Sequence, residues 1–150
     1  MKVSHTAAIP QFSDLLGGKP LFDTSINNSY DLILLSRTGI TKASAESVIS
    51  FTGMSKKSFA EDILNISIKT LERKQDDEKL DKRTSSLVIE VARVLEHTYQ
   101  VFTDREKVLG WLSKPNKALH GESPLSLFSI PTGIGMVEDV LTRIEEGVYS

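Results

Sequence analysis

From residue 29 onward, apolar positions recur three and four residues apart, and no stretch alternates with the two-residue rhythm of a half-buried strand. The pattern predicts an all-α protein. Residues 1–28 carry no sustained period and contain Pro10, the turn signal Gly17-Gly18-Lys19-Pro20 and the cluster Asn27-Asn28-Ser29, which reads as a partly mobile arm. Ser29 is placed to cap a short helix through Ser36 whose apolar residues Leu32, Ile33, Leu34 and Leu35 are contiguous, with Gly39 as its stop. Such contiguity implies burial on several sides, with a second copy of the chain as one candidate neighbour. Thr41 or Ser44 can cap a helix to about residue 52 with Ala45, Val48, Ile49 and Thr52 on one face, ended by Gly53. Ser55 caps the next helix, in which Phe59, Asp62 and Ile63 are spaced at three and four. Asn65 is the expected left-handed turn residue, since asparagine tolerates that conformation. Ser67 then caps about two helical turns, from Ile68 to Lys74, with Ile68 and Leu71 inward.

Residues 75–83 form a charged connector with one apolar residue, the composition of a solvated face. Beyond it, Ser85 or Ser86 leads into a long amphipathic helix with Leu87, Val88, Val91, Val94, Leu95, Thr98 and Phe102 on one stripe. Asp104 caps a further helix carrying Val108, Leu109, Trp111 and Leu112. Ser113-Lys114-Pro115-Asn116 breaks it, because proline lacks an amide donor and disfavours helix in the residue before it. Ser123-Pro124 begins a single turn with proline at the tolerated first position. Residues 132–146 are the last helix, with Ile134, Val137, Val140, Leu141 and Ile144 inward. The chain thus divides into an arm at 1–28, a domain of short helices at 29–83 and a small helical domain at 84–150.

The last residues change this picture. The pattern ends at Gly147, suited to the left-handed closure of a helix, and Val148, Tyr149 and Ser150 follow at once. Chain ends are usually polar and frayed. An apolar residue and an aromatic ring here imply docking, either back onto the last helical turn near Thr142 and Arg143 or onto a partner.

Composition narrows the function classes. The apolar fraction of 39% and charged fraction of 25% suit a soluble globular protein, and no apolar run approaches the roughly 20 residues of a membrane span. Residues 1–5 lead into no secretory apolar core, and the absence of cysteine agrees with a reducing cytoplasm. Disulfides, zinc–thiolate sites and cysteine catalysis are excluded. The net charge of −2 is unevenly laid out. Residues 54–74 carry five Lys or Arg against three acids, the next seven residues carry four acids and one lysine, and from Asp104 onward seven acids face five bases. One element therefore suits a polyanion.

Residues 55–74 have the helix, short turn and second helix of DNA-binding helix-turn-helix units. Ser67, Lys69, Thr70, Arg73 and Lys74 can face outward from the second helix, with Lys56 and Lys57 as phosphate contacts. A structural helical hairpin fits the same pattern. Helix-turn-helix units commonly hold a small residue four before the turn, a register that falls here on Glu61 rather than Ala60. His5, His97 and His120 lie far apart without ligand or triad spacing. Gly133-x-Gly135 has no preceding strand and marks the start of the last helix rather than a phosphate cradle. Asp76-Asp77 and Glu145-Glu146 read as solubilising pairs. No metal, no cofactor and no catalytic group is expected. Trp111, the sole tryptophan, anchors a core or, with the loop 115–121 beside it, offers a partner something to grip.

Two motifs at the C-terminal end are specific. Trp111-Leu112-Ser113-Lys114-Pro115-Asn116-Lys117-Ala118-Leu119-His120-Gly121-Glu122-Ser123-Pro124-Leu125 and Arg143-Ile144-Glu145-Glu146-Gly147-Val148-Tyr149-Ser150 resemble signatures of the Xre/MbcA/ParS family of bacterial antitoxins. The likeness is to the Xre-type partners of RES-domain toxins and runs over nearly the whole chain from Ser29, with Ile66-Ser67-Ile68-Lys69-Thr70-Leu71-Glu72-Arg73 resembling the family's helix-turn-helix segment. The resemblance implies a non-catalytic, cytoplasmic antitoxin of a type II toxin-antitoxin system. Its Xre-like domain at 29–83 would dimerise and bind the operator of its own operon. Its domain at 84–150 would bind a RES-type toxin that depletes NAD, shielding the toxin's active site with the C-terminal region. Toxin contact would fall on Trp111, Pro115, Asn116, Leu119, Gly121, Pro124, Leu125, Arg143, Gly147, Val148, Tyr149 and Ser150, within a larger hetero-oligomer. A stand-alone helix-turn-helix transcriptional regulator, whose C-terminal half senses a ligand or oligomerises, shares the DNA-binding expectation and needs no toxin.

Overall fold

The computed structural model describes residues 8–19 and 21–147. Its helices are α1 (Phe12–Leu15), α2 (Ser29–Thr38), α3 (Lys42–Ser50), α4 (Lys56–Ser58, running on as a π-helical turn, Phe59–Ile63), α5 (Ile68–Glu72), α6 (Lys82–Phe102), α7 (Arg105–Ser113) and α8 (Pro131–Glu145). Two single 3₁₀ turns, Lys117–Leu119 and Leu125–Leu127, lie between α7 and α8. Among the described residues there is one isolated antiparallel bridge, Thr41 with Lys79, and no strand. The all-α expectation holds.

α6 positions everything else. Its 21 residues bury Val88, Ile89, Val91, Ala92, Val94, Leu95 and Tyr99, and α1, α2, α3, α7 and α8 all pack on it. Each fully buried aliphatic side chain contributes about 1.5–3 kcal/mol of transfer free energy, so the helix is the main contributor to one continuous core from Leu15 to Leu141. Polar residues inside it are satisfied locally: the Thr98 hydroxyl donates to the Val94 carbonyl at 2.6 Å, and Ser85 Oγ accepts from the Ile40 amide at 3.1 Å while donating to the Leu80 carbonyl at 3.2 Å.

Caps carry out most of the chain punctuation as expected. Thr41, Ser55 and Ser67 each accept from the amide three residues on, Asp104 accepts from Glu106, and Asn65 adopts φ 58°. Several boundaries differ. Asn28, not Ser29, caps α2, accepting from the Asp31 amide at 3.0 Å. α6 starts at Lys82 rather than after Ser85 or Ser86, because Asp81 accepts from the Thr84 amide at 2.7 Å and hydrogen bonds from the Thr84 amide hold its carboxyl below the usual range. α5 ends at Glu72 instead of Lys74, and α8 begins with Pro131.

Two segments read as loose are tied down. In the described part of the arm, Leu15, Leu16 and Phe22 are buried in the core, and the Phe12 amide donates to Glu96 of α6 at 2.9 Å. Three large apolar residues without a helical period still gain more from burial than from exposure. The charged connector is laid along residues 40–43: the amides of Lys42, Ala43 and Leu80 donate to the carbonyls of Glu78, Asp76 and Ile40 at 2.8–2.9 Å. Its charged side chains are solvated, Leu80 is buried, and its backbone is fixed.

Candidate functional site

The residues expected to carry function fall into two groups, one around α4 and α5 and one between α7 and the end of α8. In the first, the π-helical turn settles the register. The Leu64 amide donates to the Phe59 carbonyl five residues back, which inserts one extra residue into the helix. Ala60 is thereby carried inward and is fully buried, while Glu61 is exposed with its carboxylate accepting weakly from the Ile68 amide at 3.4 Å. The small residue stands five before Asn65, where a regular α-helix would need it four before.

On α5, Ile68 and Leu71 pack on the core, and Ser67, Lys69, Thr70 and Arg73 are exposed. Ser67 and Thr70 share a hydroxyl contact of 2.9 Å. Lys57, Lys69 and Arg73 have no ion-pair partner among the described residues. Lys56 pairs with Glu46 at 3.3 Å, and Lys74, just beyond the helix, pairs with Glu78 at 3.7 Å. These exposed pairs contribute little to stability, about 0–1 kcal/mol each. A residue unmarked in the sequence fixes this helix: Lys42, buried at 9% exposure, donates to the carbonyls of Lys74 at 3.0 Å and Glu72 at 3.5 Å, filling acceptors left over where α5 ends.

The second group is built around Asn116. Its side chain accepts from the Ala118 amide at 2.9 Å, its amide donates to the Glu122 carbonyl at 3.0 Å, and its carbonyl accepts from the Gly121 amide at 2.9 Å. One residue, through its backbone and side chain together, thus closes the loop that Pro115 opens, and His120 and Gly121 turn through the left-handed region. Leu119 and Pro124 are buried, so they hold the loop to the domain, and the 3₁₀ turn carrying Leu119 packs on α8. Pro115 and Gly121 are exposed, Asn116 and Leu125 half-buried. Trp111 is half-buried against Phe102, ring centroids 5.2 Å apart. The Gly133 backbone lies so close to Leu127 that a Cβ there would stand 2.2 Å from the Leu127 carbonyl oxygen. That approach, not a phosphate, explains Gly133.

At its other end α8 is gripped by His97, which had no assigned role in the sequence pattern. Its Nδ1 meets Glu138 and its Nε2 meets Glu145 at 2.7 Å. Carboxylates only accept, so both contacts are satisfied together by the doubly protonated ring. Burial opposes that charge, and the bonds to Glu138 and Glu145 outweigh it, holding the histidine above its ordinary pKa. Tyr99 and Arg105 make a similar tie between helices. Arg105 donates to Tyr99 Oη at 3.2 Å and to the Ser50 carbonyl at 3.1 Å, and Tyr99 donates to the Phe51 carbonyl at 3.3 Å. Arg143 is exposed on the last turn of α8, and Gly147 ends the described chain at φ 75° with open space around it. The expected contacts of Val148, Tyr149 and Ser150 lie outside the described residues.

Residues 97–147, from the last turns of α6 through α8, match the family described as the antitoxin Xre/MbcA/ParS C-terminal toxin-binding domain. The chain is also 33% identical over 79 residues to Antitoxin Xre of Yersinia enterocolitica serotype O:8 / biotype 1B (strain NCTC 13174 / 8081). That match covers 52% of this chain and 53% of the relative, so the chain spans about half the length of the curated relative it matches. The Asn116 loop, the Gly133 approach and the helix closed by Gly147 all fall within the matched residues, and over them the chain is similar to the C-terminal toxin-binding domain of Xre/MbcA/ParS antitoxins.

Proposed function

We propose that this chain neutralises a cognate RES-type, NAD-depleting toxin in the cytoplasm, as the non-catalytic antitoxin of a type II toxin-antitoxin pair. The observation that carries the reading is the family match over residues 97–147, the region in which Asn116 closes an exposed loop and Gly147 turns the chain at the end of α8. Trp111, Pro115, Asn116, Gly121, Leu125 and Arg143 supply the toxin-facing surface, Leu119 and Pro124 support it from beneath, and Gly147 aims residues 148–150 at the toxin's active site. Deleting residues 147–150 tests this: folding is retained, while inhibition of the toxin's NAD consumption weakens at equal antitoxin concentration. Undiminished inhibition removes the chain end from the mechanism.

The same chain binds its operator as a homodimer through α5, with Ser67, Lys69, Thr70 and Arg73 toward the bases and Lys57 toward phosphate. Lys56 and Lys74 join these contacts by exchanging Glu46 and Glu78 for phosphate. Supporting this are the exposure of the α5 cations and the inward Ala60 of the π-helical turn. Affinity should fall by roughly 0.9 log units per neutralised phosphate for each decade of salt. Replacing Lys69 and Arg73 together by alanine should abolish specific binding, and unchanged operator affinity would refute the assignment. A stand-alone regulator would bind DNA equally well, and copurification of a RES-type protein from the adjacent reading frame separates the two.

A further inference from the structure

Of the large apolar side chains left exposed among the described residues, Tyr30 at 57%, Ile33 at 46% and Leu34 at 42% all stand on α2. With Arg37, also exposed, they occupy positions i, i+3, i+4 and i+7, one face of the helix, while Leu35 on another face is buried. Scattered exposed apolar residues need no explanation. Here they form an uninterrupted strip along a helix of ten residues, roughly 15 Å long. Leu32, Ile33, Leu34 and Leu35 are contiguous in sequence because α2 faces the core on one side and something else on the other.

The strip is its own complement. If a second α2 lies antiparallel across a two-fold axis passing between residues 33 and 34, Ile33 meets Leu34 of the partner subunit, and the Tyr30 ring meets Arg37 of the partner subunit. Arg37 has no ion-pair partner among the described residues, and a guanidinium over an aromatic face is a favourable pairing. A parallel arrangement would set Arg37 against its own copy. Self-complementarity under a two-fold axis is what an isologous dimer requires, and a toxin surface would place no such demand on the strip. Four side chains fall short of the roughly 800 Å² per subunit of a standard interface. The groove beside them, about 460 Å³ and lined by Leu32, Ser36, Lys82 and Glu90, extends the contact onto α6.

We infer that the exposed face of α2 is the homodimer interface, formed by antiparallel α2 pairing with Tyr30 against Arg37. The inference supplies the surface for the homodimer of the proposed function. Sedimentation velocity on the full chain, with neither toxin nor DNA present, tests it. The wild type should show a concentration-dependent dimer, and Ile33→Glu should raise its dissociation constant at least about tenfold with unchanged circular dichroism and melting temperature. Tyr30→Lys should weaken the dimer and Tyr30→Lys with Arg37→Glu should restore it, because only this register brings the two positions together. A wild type that stays monomeric to about 100 µM, a dimer indifferent to Ile33→Glu, or a double variant no better than Tyr30→Lys would overturn the interface. Toxin inhibition is measured on the same proteins. A monomeric wild type that still inhibits toxin leaves the antitoxin reading standing, and a dimer that captures no toxin defeats that reading while keeping the interface.

Discussion

α5 and α8 are each held by a basic side chain reaching from a neighbouring helix, and the two grips differ in kind. Lys42 of α3 donates to backbone carbonyls at the end of α5. His97 of α6 reaches carboxylates on two turns of α8. Backbone acceptors do not titrate, whereas an imidazole between two carboxylates holds best when it carries a second proton. The helix proposed to read DNA is therefore held at acceptors that carry no titrating proton, and the one proposed to present the toxin-facing end is held in a way that depends on the protonation of His97.

The strongest way to break the contrast is to dislodge α8 at its start, where no titration is involved. Gly133→Ala drives a Cβ against the Leu127 carbonyl and should cost about 3 kcal/mol in chemical denaturation. If it costs much less, the start of α8 is not the rigid end. Next in size is Lys42→Met, which leaves the carbonyls of Glu72 and Lys74 without their donor and should cost about 2 kcal/mol in the same measurement. A loss well below that would remove Lys42 as the anchor of α5.

His97→Gln should be milder, about 1 kcal/mol, since Glu138 and Glu145 are partly solvated. The informative part is its pH profile. His97 has a folded-state pKa raised from 6.5, so its stabilisation is fully present below pH 6.5 and is lost as pH rises through the higher folded value. Urea midpoints of the wild type should fall over that interval relative to the variant, and parallel curves would remove His97 from the pH response. Smallest of all, Lys56→Ala should change stability by under about 0.5 kcal/mol, while lowering operator affinity in a salt-dependent manner.

The same contrast marks what the sequence discloses. Thr41, Ser55, Ser67, Asp104, Asn65 and Gly147 act within a turn of their own position, and local chemistry was enough to identify them. The Asn116 loop is likewise local. His97 finds its partners 41 and 48 residues away and Lys42 finds its partners 30 and 32 away, so neither carries a local signature. The start of α6 was hidden because its first turn is charged and its buried Ser85 is polar, both features of a linker read without the partners Ile40 and Leu80. The small residue five rather than four before Asn65 accompanies a π-helical turn, which a count at 3.6 residues per turn does not anticipate.

The backbone bonds between residues 40–43 and 76–80 have one more consequence. A connector that can swing would let one half of the molecule reorient when the other is occupied. Here the backbone pairing ties the link between α5 and α6 to the residues that enter α3, so the link does not swing freely. On the proposed function, communication between a bound toxin and a bound operator would then travel as bulk: excluded volume and spacing would decide which neighbouring complexes sit side by side on DNA.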